Sequence, residues 1–241
     1  MSKLAIIPAR GGSKRIPRKN IKDFLGKPII AYSIEAALQS GLFDEVMVST
    51  DDHEIAEIAI KYGAKVPFFR SQENSNDYAT TMAVIQEVIT KYNENSNALV
   101  NLVCCIYPTA PLIQIKHLIE GCSMLNEKNL DSVYPVVAFG YPIWRGVEIL
   151  DNGKAQMIWP EYLNSRSQDL KKVYHDAGQW YWMNMSYIYD NTILKKNIGT
   201  LVMTELEVQD IDNETDWKIA ELKYKLLVNH GKIISKNIFP N

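Results

Sequence analysis

Apolar residues along the chain follow two spacings, one typical of buried strands and one typical of amphipathic helices. Leu4 to Ile7 is a short apolar run, and the apolar positions of Ile29 to Leu38 then recur at the helical period until Gly41. The pattern repeats with a strand over Glu45 to Ser49 and a helix over Glu54 to Tyr62. The beginning of the chain therefore predicts strand, helix, strand, helix.

The rest of the chain continues this alternation. Leu99 to Ile106 is a continuous apolar run, as expected of a strand near the sheet centre that is covered on both faces. The pattern also predicts a short strand over 65–69, a helix within 79–92 capped by Asp77 or Thr80, a helix over 114–126, strands over 131–139 and 200–208, and a helix over 215–229 that His230-Gly231 ends. This order favours an α/β fold with an open, mostly parallel twisted sheet and helices on both faces.

The pattern changes between Tyr141 and about Trp159. Two short alternating segments flank Asp151-Asn152-Gly153, and an Asn-Gly pair in this position is a hairpin signal. A hairpin that leaves the main sheet is expected to act as an arm that contacts a second subunit. We predict one domain over 1–241, with an extension at about 140–190.

Composition indicates an ordinary globular protein. The chain has 241 residues, of which 46% are hydrophobic and 22% charged, and its net charge is -2. No apolar run approaches the roughly 18 residues of a membrane helix, and Met1 leads into the first strand without a signal-peptide core. We expect a cytoplasmic protein without a membrane partner. Its three cysteines, Cys104, Cys105 and Cys122, are expected to be reduced and structural, with reactivity of Cys122 left open.

Three loops, over 9–20, 49–52 and 107–111, are predicted to meet at the carboxyl edge of the sheet, where such folds bind ligands. The first loop combines Gly11 and Gly12, which let backbone amides approach a ligand, with five cations: Arg10, Lys14, Arg15, Arg18 and Lys19. The first thirty residues hold eight Lys or Arg and one Asp, so the charge is local and indicates a polyphosphate pocket instead of a generally basic, nucleic-acid-binding protein. Neither a Walker nor a dinucleotide glycine pattern is present, and a solvated surface loop is the alternative.

An acidic segment lies near the other end of the chain. Residues 201–217 contain six Asp or Glu and no Lys or Arg. Asp210 and Asp212 share one face of an extended segment while Ile211 points to the other, and such a carboxylate pair suits Mg²⁺ together with phosphate oxygens. The alternative is that Asp212 or Asn213 caps the following helix.

The segment from Tyr174 to Tyr189 is rich in aromatic residues. Trp180 and Trp182 are interpreted as core or interface residues, with ligand contact as the alternative. His175 is expected to contact a substrate through a hydrogen bond, since no nucleophile motif accompanies it. Arg145 and Arg166 are candidates for binding a substrate carboxylate.

These residues together resemble the CMP-sialic acid synthetase (acylneuraminate cytidylyltransferase) family. The resemblance is carried by four motifs in family order: Ile6-Ile7-Pro8-Ala9-Arg10-Gly11-Gly12-Ser13-Lys14 with Lys19-Asn20, Val48-Ser49-Thr50-Asp51, Pro108-Thr109-Ala110-Pro111 and Asp210-Ile211-Asp212. The chain looks closest to the pseudaminic acid cytidylyltransferases through Tyr141-Pro142-Ile143, Arg166-Ser167-Gln168-Asp169 and Tyr174-His175-Asp176-Ala177-Gly178-Gln179. It departs from the sialic acid synthetases at Tyr107, where many of them have Gln.

The resemblance implies a nucleotide-diphospho-sugar transferase fold, a homodimer with an exchanged hairpin arm, and Mg²⁺-dependent transfer of CMP from CTP to an acidic nine-carbon α-keto sugar. Pseudaminic acid is the expected sugar, and N-acetylneuraminic, legionaminic or 3-deoxy-octulosonic acid are the alternatives. A non-catalytic nucleotide-sugar or RNA-binding module is a more distant alternative.

The resemblance also assigns roles to residues. Arg10 and Lys19 would contact the triphosphate and act in catalysis, and Asp210 and Asp212 would hold Mg²⁺. The rest of the implied nucleotide site is Ala9, Gly11, Gly12, Ser13, Lys14, Asn20, Thr81, Pro108 and Thr109. The implied sugar contacts lie in the 140–190 extension and are Arg145, Arg166, His175 and Gln179.

Overall fold

A mixed sheet of seven strands forms the centre of the fold. The structure, a computed structural model, describes residues 2–95, 99–189, 197–229 and 231. In chain order its strands and α-helices are β1 (Ser2–Pro8), β2 (Asp23–Phe24), β3 (Lys27–Pro28), α1 (Ile29–Ser40), β4 (Glu45–Ser49), α2 (His53–Lys61), α3 (Thr81–Asn95), β5 (Val100–Ile106), α4 (Ile115–Glu127), β6 (Ser132–Ala138), β7 (Val147–Ile149), β8 (Ala155–Met157), β9 (Tyr174–Asp176), β10 (Trp180–Asn184), α5 (Met185–Tyr189), β11 (Ile198–Met203) and α6 (Glu214–Asn229).

The strand order of the main sheet is β11-β6-β10-β5-β1-β4, and β9 pairs with β6 beside this path. β1 runs parallel to β4 and β5, and β11 runs parallel to β6, whereas β10 is antiparallel to both of its neighbours. The predicted mostly parallel sheet is confirmed. Because β1, β4 and β5 point the same way, the loops that follow them open at one edge.

Helices cover both faces of the sheet, as predicted. Apolar residues of α1, α2 and α4 pack with one face, and those of α3 and α5 pack with the other. The strands between them carry continuous apolar runs because both of their faces are buried. A third apolar cluster joins α6 to the β2–β3 hairpin and to Ile16 of the basic loop at 9–20, so α6 lies beside the loop that follows β1.

Strands β9 and β10 behave as one bent strand. Gly178, with a φ of 63°, lies between them, and glycine adopts such a positive φ without a steric penalty. β10 pairs with both β5 and β6, but β9 continues along β6 alone. These pairings place the second half of the predicted 140–190 extension in the main sheet. Trp180 and Trp182 are fully buried within it. Their alternative role as ligand platforms is excluded by this burial.

The predicted hairpin is confirmed as a separate two-stranded sheet. β7 and β8 pair antiparallel around Asp151-Asn152-Gly153, and Gly153 has a φ of 77°. Trp144, Trp159 and Tyr162 pack together beside this hairpin. In the part of the chain that the structure describes, no helix is both long and apolar enough to span a membrane.

Two predicted strands differ from the structure. Only Lys65 of the segment 65–69 forms a bridge, to Met47, so this segment is not a strand. The strand predicted over 200–208 ends at Met203, because Thr204 and Glu207 form a capping box around a 3₁₀ turn at Glu205–Glu207. The helix predicted over 215–229 is confirmed as Glu214–Asn229, whereas its predicted end at His230 lies outside the described residues.

Candidate active site

A cavity of about 270 Å³ lies where the loops after β1 and β5 meet the start of α3. Its lining includes most of the predicted nucleotide residues, namely Arg10, Ser13, Lys14, Lys19, Asn20, Thr81, Pro108 and Thr109. Ala9, Gly11 and Gly12 do not line it. Ala9 is buried, and its N–H donates to the carbonyl of Ser49 at 2.9 Å. The sheet edge thus brings the first and third predicted loops together.

The shape of the basic loop is fixed by hydrogen bonds to its neighbours. The buried side chain of Asn20 donates to the carbonyl of Arg10 at 2.9 Å, and the N–H of Gly11 donates to Asp51 at 2.9 Å. A Cβ at residue 11 would lie 2.7 Å from Asp52, so glycine is required by this close approach. The second predicted loop, at 49–52, therefore supports the first.

Arg18 stabilises the conformation of the basic loop and does not contribute to the cavity. It has a positive φ of 54°, pairs with Asp52 and Glu54 at the start of α2, and does not line the cavity. The hydrogen bonds from Arg18 lower the pKa of Asp52 to about 2, against the effect of burial. Of the five cations in the loop, this one is a structural anchor.

The acidic pair lies beside the basic loop, almost two hundred residues away in sequence. Ile211 is fully buried in the apolar cluster that contains Ile16, while Asp210 and Asp212 remain outside it. Lys19 Nζ donates to the carbonyl of Ile211 at 2.7 Å, and Arg15 Nη1 lies 2.6 Å from Asp212. The predicted separation of Ile211 from the two carboxylates is confirmed.

The helix cap is provided by Asn213 and not by Asp212. Asn213 Oδ1 accepts hydrogen bonds from the N–H groups of Thr215 and Asp216, which are at the start of α6. Asp216 in turn accepts from the N–H of Asp212. The carboxylate of Asp212 is thereby left outside the capping interactions, where it faces Arg15.

The donor set at 210–212 fits a hard divalent cation that also binds phosphate. Partial desolvation and the neighbouring charge of Asp212 raise the pKa of Asp210, and a bound cation would relieve this repulsion. Among the residues that the structure describes, no three His, Cys, Asp or Glu side chains cluster as a metal site. Two carboxylates are a donor set that Mg²⁺ commonly uses together with phosphate oxygens and water.

Lys19 connects the two halves of this site. Burial lowers its pKa, whereas the charges of Asp212 and Asp210 oppose that effect. Because it lines the cavity and contacts the backbone between the two aspartates, it is placed to touch a phosphate beside the acidic pair.

A second cavity, of about 220 Å³, lies beside the first and shares Thr81 and Tyr107 with it. Its floor is apolar, with Met82, Ile85 and Met183, and the other residues that line it are Cys105, Ser132, Tyr134, Asp176, Tyr181 and Tyr187. The hydroxyl of Tyr181 donates to Asp176 at 2.7 Å. This cavity lies next to the bend between β9 and β10, and its lining combines hydroxyls and one carboxylate with apolar side chains.

The predicted sugar-binding residues line neither cavity. Gln179 is buried and donates to the carbonyl of Glu207 at 2.6 Å. Its side chain therefore stabilises the backbone at Glu207 and does not face a ligand site. Arg166 is paired with Asp169 at 2.7 Å, and Arg145 lies 3.5 Å from Ser167. His175 is exposed and packs against Phe139.

Seven residues that line the first cavity were not among the predicted site residues: Pro8, Arg15, Ile16, Arg70, Ala79, Val84 and Tyr107. Arg70 is buried and its Nε donates to Ser49 Oγ at 3.1 Å, which ties it to the end of β4. The signal that could have identified Arg70 from the sequence is its position directly after the apolar segment 65–69. Tyr107 precedes Pro108 in a loop that the sequence did place at this edge.

The chain is similar to known proteins over almost its whole length. A family model described as cytidylyltransferase matches residues 4–213. The chain is 45% identical to a pseudaminic acid cytidylyltransferase of Campylobacter jejuni over 95% of this chain and 98% of that protein. It is 32% identical to the CMP-N,N'-diacetyllegionaminic acid synthase of Legionella pneumophila, over 93% of this chain and 99% of that one. A solved structure of CMP:2-keto-3-deoxy-manno-octonic acid synthetase complexed with CTP is similar in fold, with a TM-score of 0.68, 19% identity, and coverage of 95% and 100% of the two chains.

Proposed function

Because the chain belongs to the cytidylyltransferase family, we propose that it transfers CMP from CTP to pseudaminic acid, an acidic nine-carbon α-keto sugar, and releases pyrophosphate. The choice of sugar is supported by the 45% identity to the Campylobacter jejuni enzyme across almost the full length of both chains. The observation that carries the chemistry is the meeting of Lys19 with the Asp210–Asp212 segment at the edge of a polar cavity.

In this reaction the anomeric hydroxyl forms a bond to the α-phosphorus of CTP while the bond to pyrophosphate breaks. Arg10, Lys14 and Lys19 are placed to neutralise charge on the phosphates and on the leaving pyrophosphate. Asp210 and Asp212 would hold Mg²⁺, which supplies further neutralisation of phosphate charge when bound. Such a reaction depends on positioning and charge, and it requires no protein nucleophile.

The sugar is proposed to enter the second cavity, because that cavity adjoins the nucleotide cavity through Thr81 and Tyr107. The phenol groups and Asp176 offer hydrogen-bond partners, and the apolar floor suits a substituent that carries a methyl group. Arg145, Arg166 and His175 lie apart from both cavities within this chain. Their proposed contact with sugar therefore depends on a change in the extension or on a second subunit.

The hairpin β7–β8 is proposed as the arm of a homodimer. Val147 and Ile149 on this hairpin and the adjacent Ile158 are exposed apolar side chains outside the main sheet. Sedimentation analysis should show a dimer that Ile149→Glu dissociates, whereas Glu148→Gln on the same strand should leave it intact. A monomeric unmodified protein would refute the arm.

The reaction is tested by incubating the protein with CTP, Mg²⁺ and one sugar at a time, with product mass and pyrophosphate release as readouts. Pseudaminic acid should be the preferred acceptor over N-acetylneuraminic, legionaminic and 3-deoxy-octulosonic acids. If none of these sugars yields a CMP-sugar, the transferase assignment fails, and preference for a different sugar would overturn only the choice of pseudaminic acid.

The metal assignment is tested by Asp212→Asn, with Glu214→Gln as a matched control. Both changes remove one negative charge from the same segment, but Glu214 pairs with Lys22, whereas Asp212 pairs with the cavity-lining Arg15 and adjoins the carbonyl that Lys19 contacts. Asp212→Asn should lose Mg²⁺-dependent turnover and weaken Mg²⁺ binding measured by calorimetry with CTP present. Equal behaviour of the two variants would exclude Asp212 as a metal ligand.

A further inference from the structure

Asp77 forms ion pairs with two of the cations that the proposed function assigns to the triphosphate. It lies in the loop 71–80, between α2 and α3, and its Oδ1 is 2.8 Å from Arg10 Nη1. Its other carboxylate oxygen contacts Lys14 Nζ. Arg10 and Lys14 both line the nucleotide cavity, and so do Ala79 and Thr81, which follow Asp77 in the chain.

The loop that carries Asp77 is held in place by its own hydrogen bonds. Glu87 of α3 accepts from the N–H of Ser71 at 2.7 Å and from its hydroxyl at 2.8 Å. Asn76 Oδ1 accepts from the N–H groups of Tyr78 and Ala79 at 2.7 Å and 3.1 Å. Asp77 therefore reaches the two cations from a built turn, and its position does not depend on the ion pairs alone.

The other cations of the basic loop also have internal partners. Arg18 pairs with Asp52 and Glu54, Arg15 pairs with Asp212, and Lys19 donates to a backbone carbonyl. Asp77 is the partner of Arg10 and Lys14, and both of these cations line the cavity. A triphosphate that enters must compete with its carboxylate for both Arg10 and Lys14.

We propose that Asp77 is a positioning residue that acts as an internal counter-ion for the phosphate cations. It holds Arg10 and Lys14 in place beside the cavity, and incoming triphosphate displaces it. After the reaction it competes with pyrophosphate for the same two cations. The assignment of CTP as the natural ligand rests on the proposed function, but the competition itself concerns any triphosphate anion.

Removal of the charge should tighten triphosphate binding. An exposed ion pair contributes about a 1.4- to 5-fold change in an equilibrium constant, and Asp77 makes two such pairs. We expect Asp77→Asn to bind CTP roughly two- to tenfold more tightly than the unmodified protein. Cytidine, which has no phosphates, should bind both proteins equally.

The test uses calorimetry with three probes: CTP, cytidine and inorganic tripolyphosphate. Glu73→Gln is the matched control, because it also removes a negative charge from this loop. In the part of the chain that the structure describes, Glu73 makes no ion pair, whereas Asp77 makes two. Thermal unfolding of each variant verifies that the fold is retained. Asp77→Ala is a second variant, and its binding should change in the same direction.

Tighter binding of CTP and tripolyphosphate by Asp77→Asn, with unchanged cytidine binding, supports the counter-ion role. Unchanged or weaker binding of the two phosphate probes overturns it, and so does an equal gain by Glu73→Gln. If the unmodified protein fails to bind CTP, the proposed function is refuted. The counter-ion role is still tested in that case, because tripolyphosphate competes with Asp77 for the same two cations.

Discussion

Glu207 is expected to contribute a large, pH-dependent share of stability. Its buried carboxylate accepts hydrogen bonds from the N–H of Thr204 at 3.0 Å, from its hydroxyl at 2.7 Å, and from Gln114 Nε2 at 3.1 Å. His117 Nε2 lies 3.5 Å away. These contacts tie the segment that leads to Asp210 onto the start of α4.

The magnitude follows from the pKa of Glu207. Burial alone would raise this pKa, but the hydrogen bonds from Thr204 and Gln114 and the charge of His117 lower it from 4.5 to about 2. Each pKa unit corresponds to about 1.36 kcal/mol, so the depressed value stabilises the folded state by about 3 kcal/mol. Because the folded pKa is the lower one, this stability is present above pH 4.5 and is lost as the pH falls through about 2.

The assay is urea unfolding of Glu207→Gln and the unmodified protein at pH values from 7 down to 2. The difference in unfolding free energy should be largest at pH 7 and should shrink below the ordinary pKa of glutamate. Glu205→Gln, on the same turn, is the control, because Glu205 is exposed. A difference that stays constant with pH, or an equal effect of Glu205→Gln, would refute the reasoning.

Three further predictions concern the core and the cysteines. Ile211→Ala should lower the unfolding free energy by about 2–5 kcal/mol, and Ile211→Val by about 0.5–1.5 kcal/mol, because the side chain is fully buried; chemical denaturation measures both. Gly121→Ala should lower the melting temperature although alanine favours helices, because a Cβ would lie 2.5 Å from Trp180; an unchanged melting temperature would contradict this contact. Cys104 and Cys105 should react with a thiol reagent only on unfolding, because burial raises the pKa of both thiols, that of Cys105 to about 12; rapid labelling of the folded protein would contradict their burial.

Much of the fold was predictable because burial leaves a regular pattern in the sequence. The bounds of β4 were predicted to the residue, and those of α1 within two residues, since their apolar spacing ends at polar residues or Gly41. The end of β11 was not predictable, because the capping box of Thr204 and Glu207 competes with the strand through side-chain hydrogen bonds.

The candidate site was predictable where residues follow strands, and not where they depend on tertiary contacts. Most residues of the basic loop that were predicted from motifs do line the first cavity. Gln179 was placed with the sugar contacts, but its buried amide supports Glu207. The second cavity depends on the bend between β9 and β10, and apolar spacing does not report which neighbouring strand a bent strand follows.

Burial is what joins the two halves of the proposed active site. Ile16 and Ile211 share one apolar cluster, and this packing leaves outside it Arg15, which precedes Ile16, and the two aspartates that flank Ile211. The carbonyl of Ile211 then accepts from Lys19, which adds a direct contact between the basic loop and the acidic segment. Charge alone would favour many arrangements of these two segments, since exposed ion pairs are weak. The buried isoleucines select one of them, so the geometry proposed for phosphate and metal binding is set by the hydrophobic core beneath it.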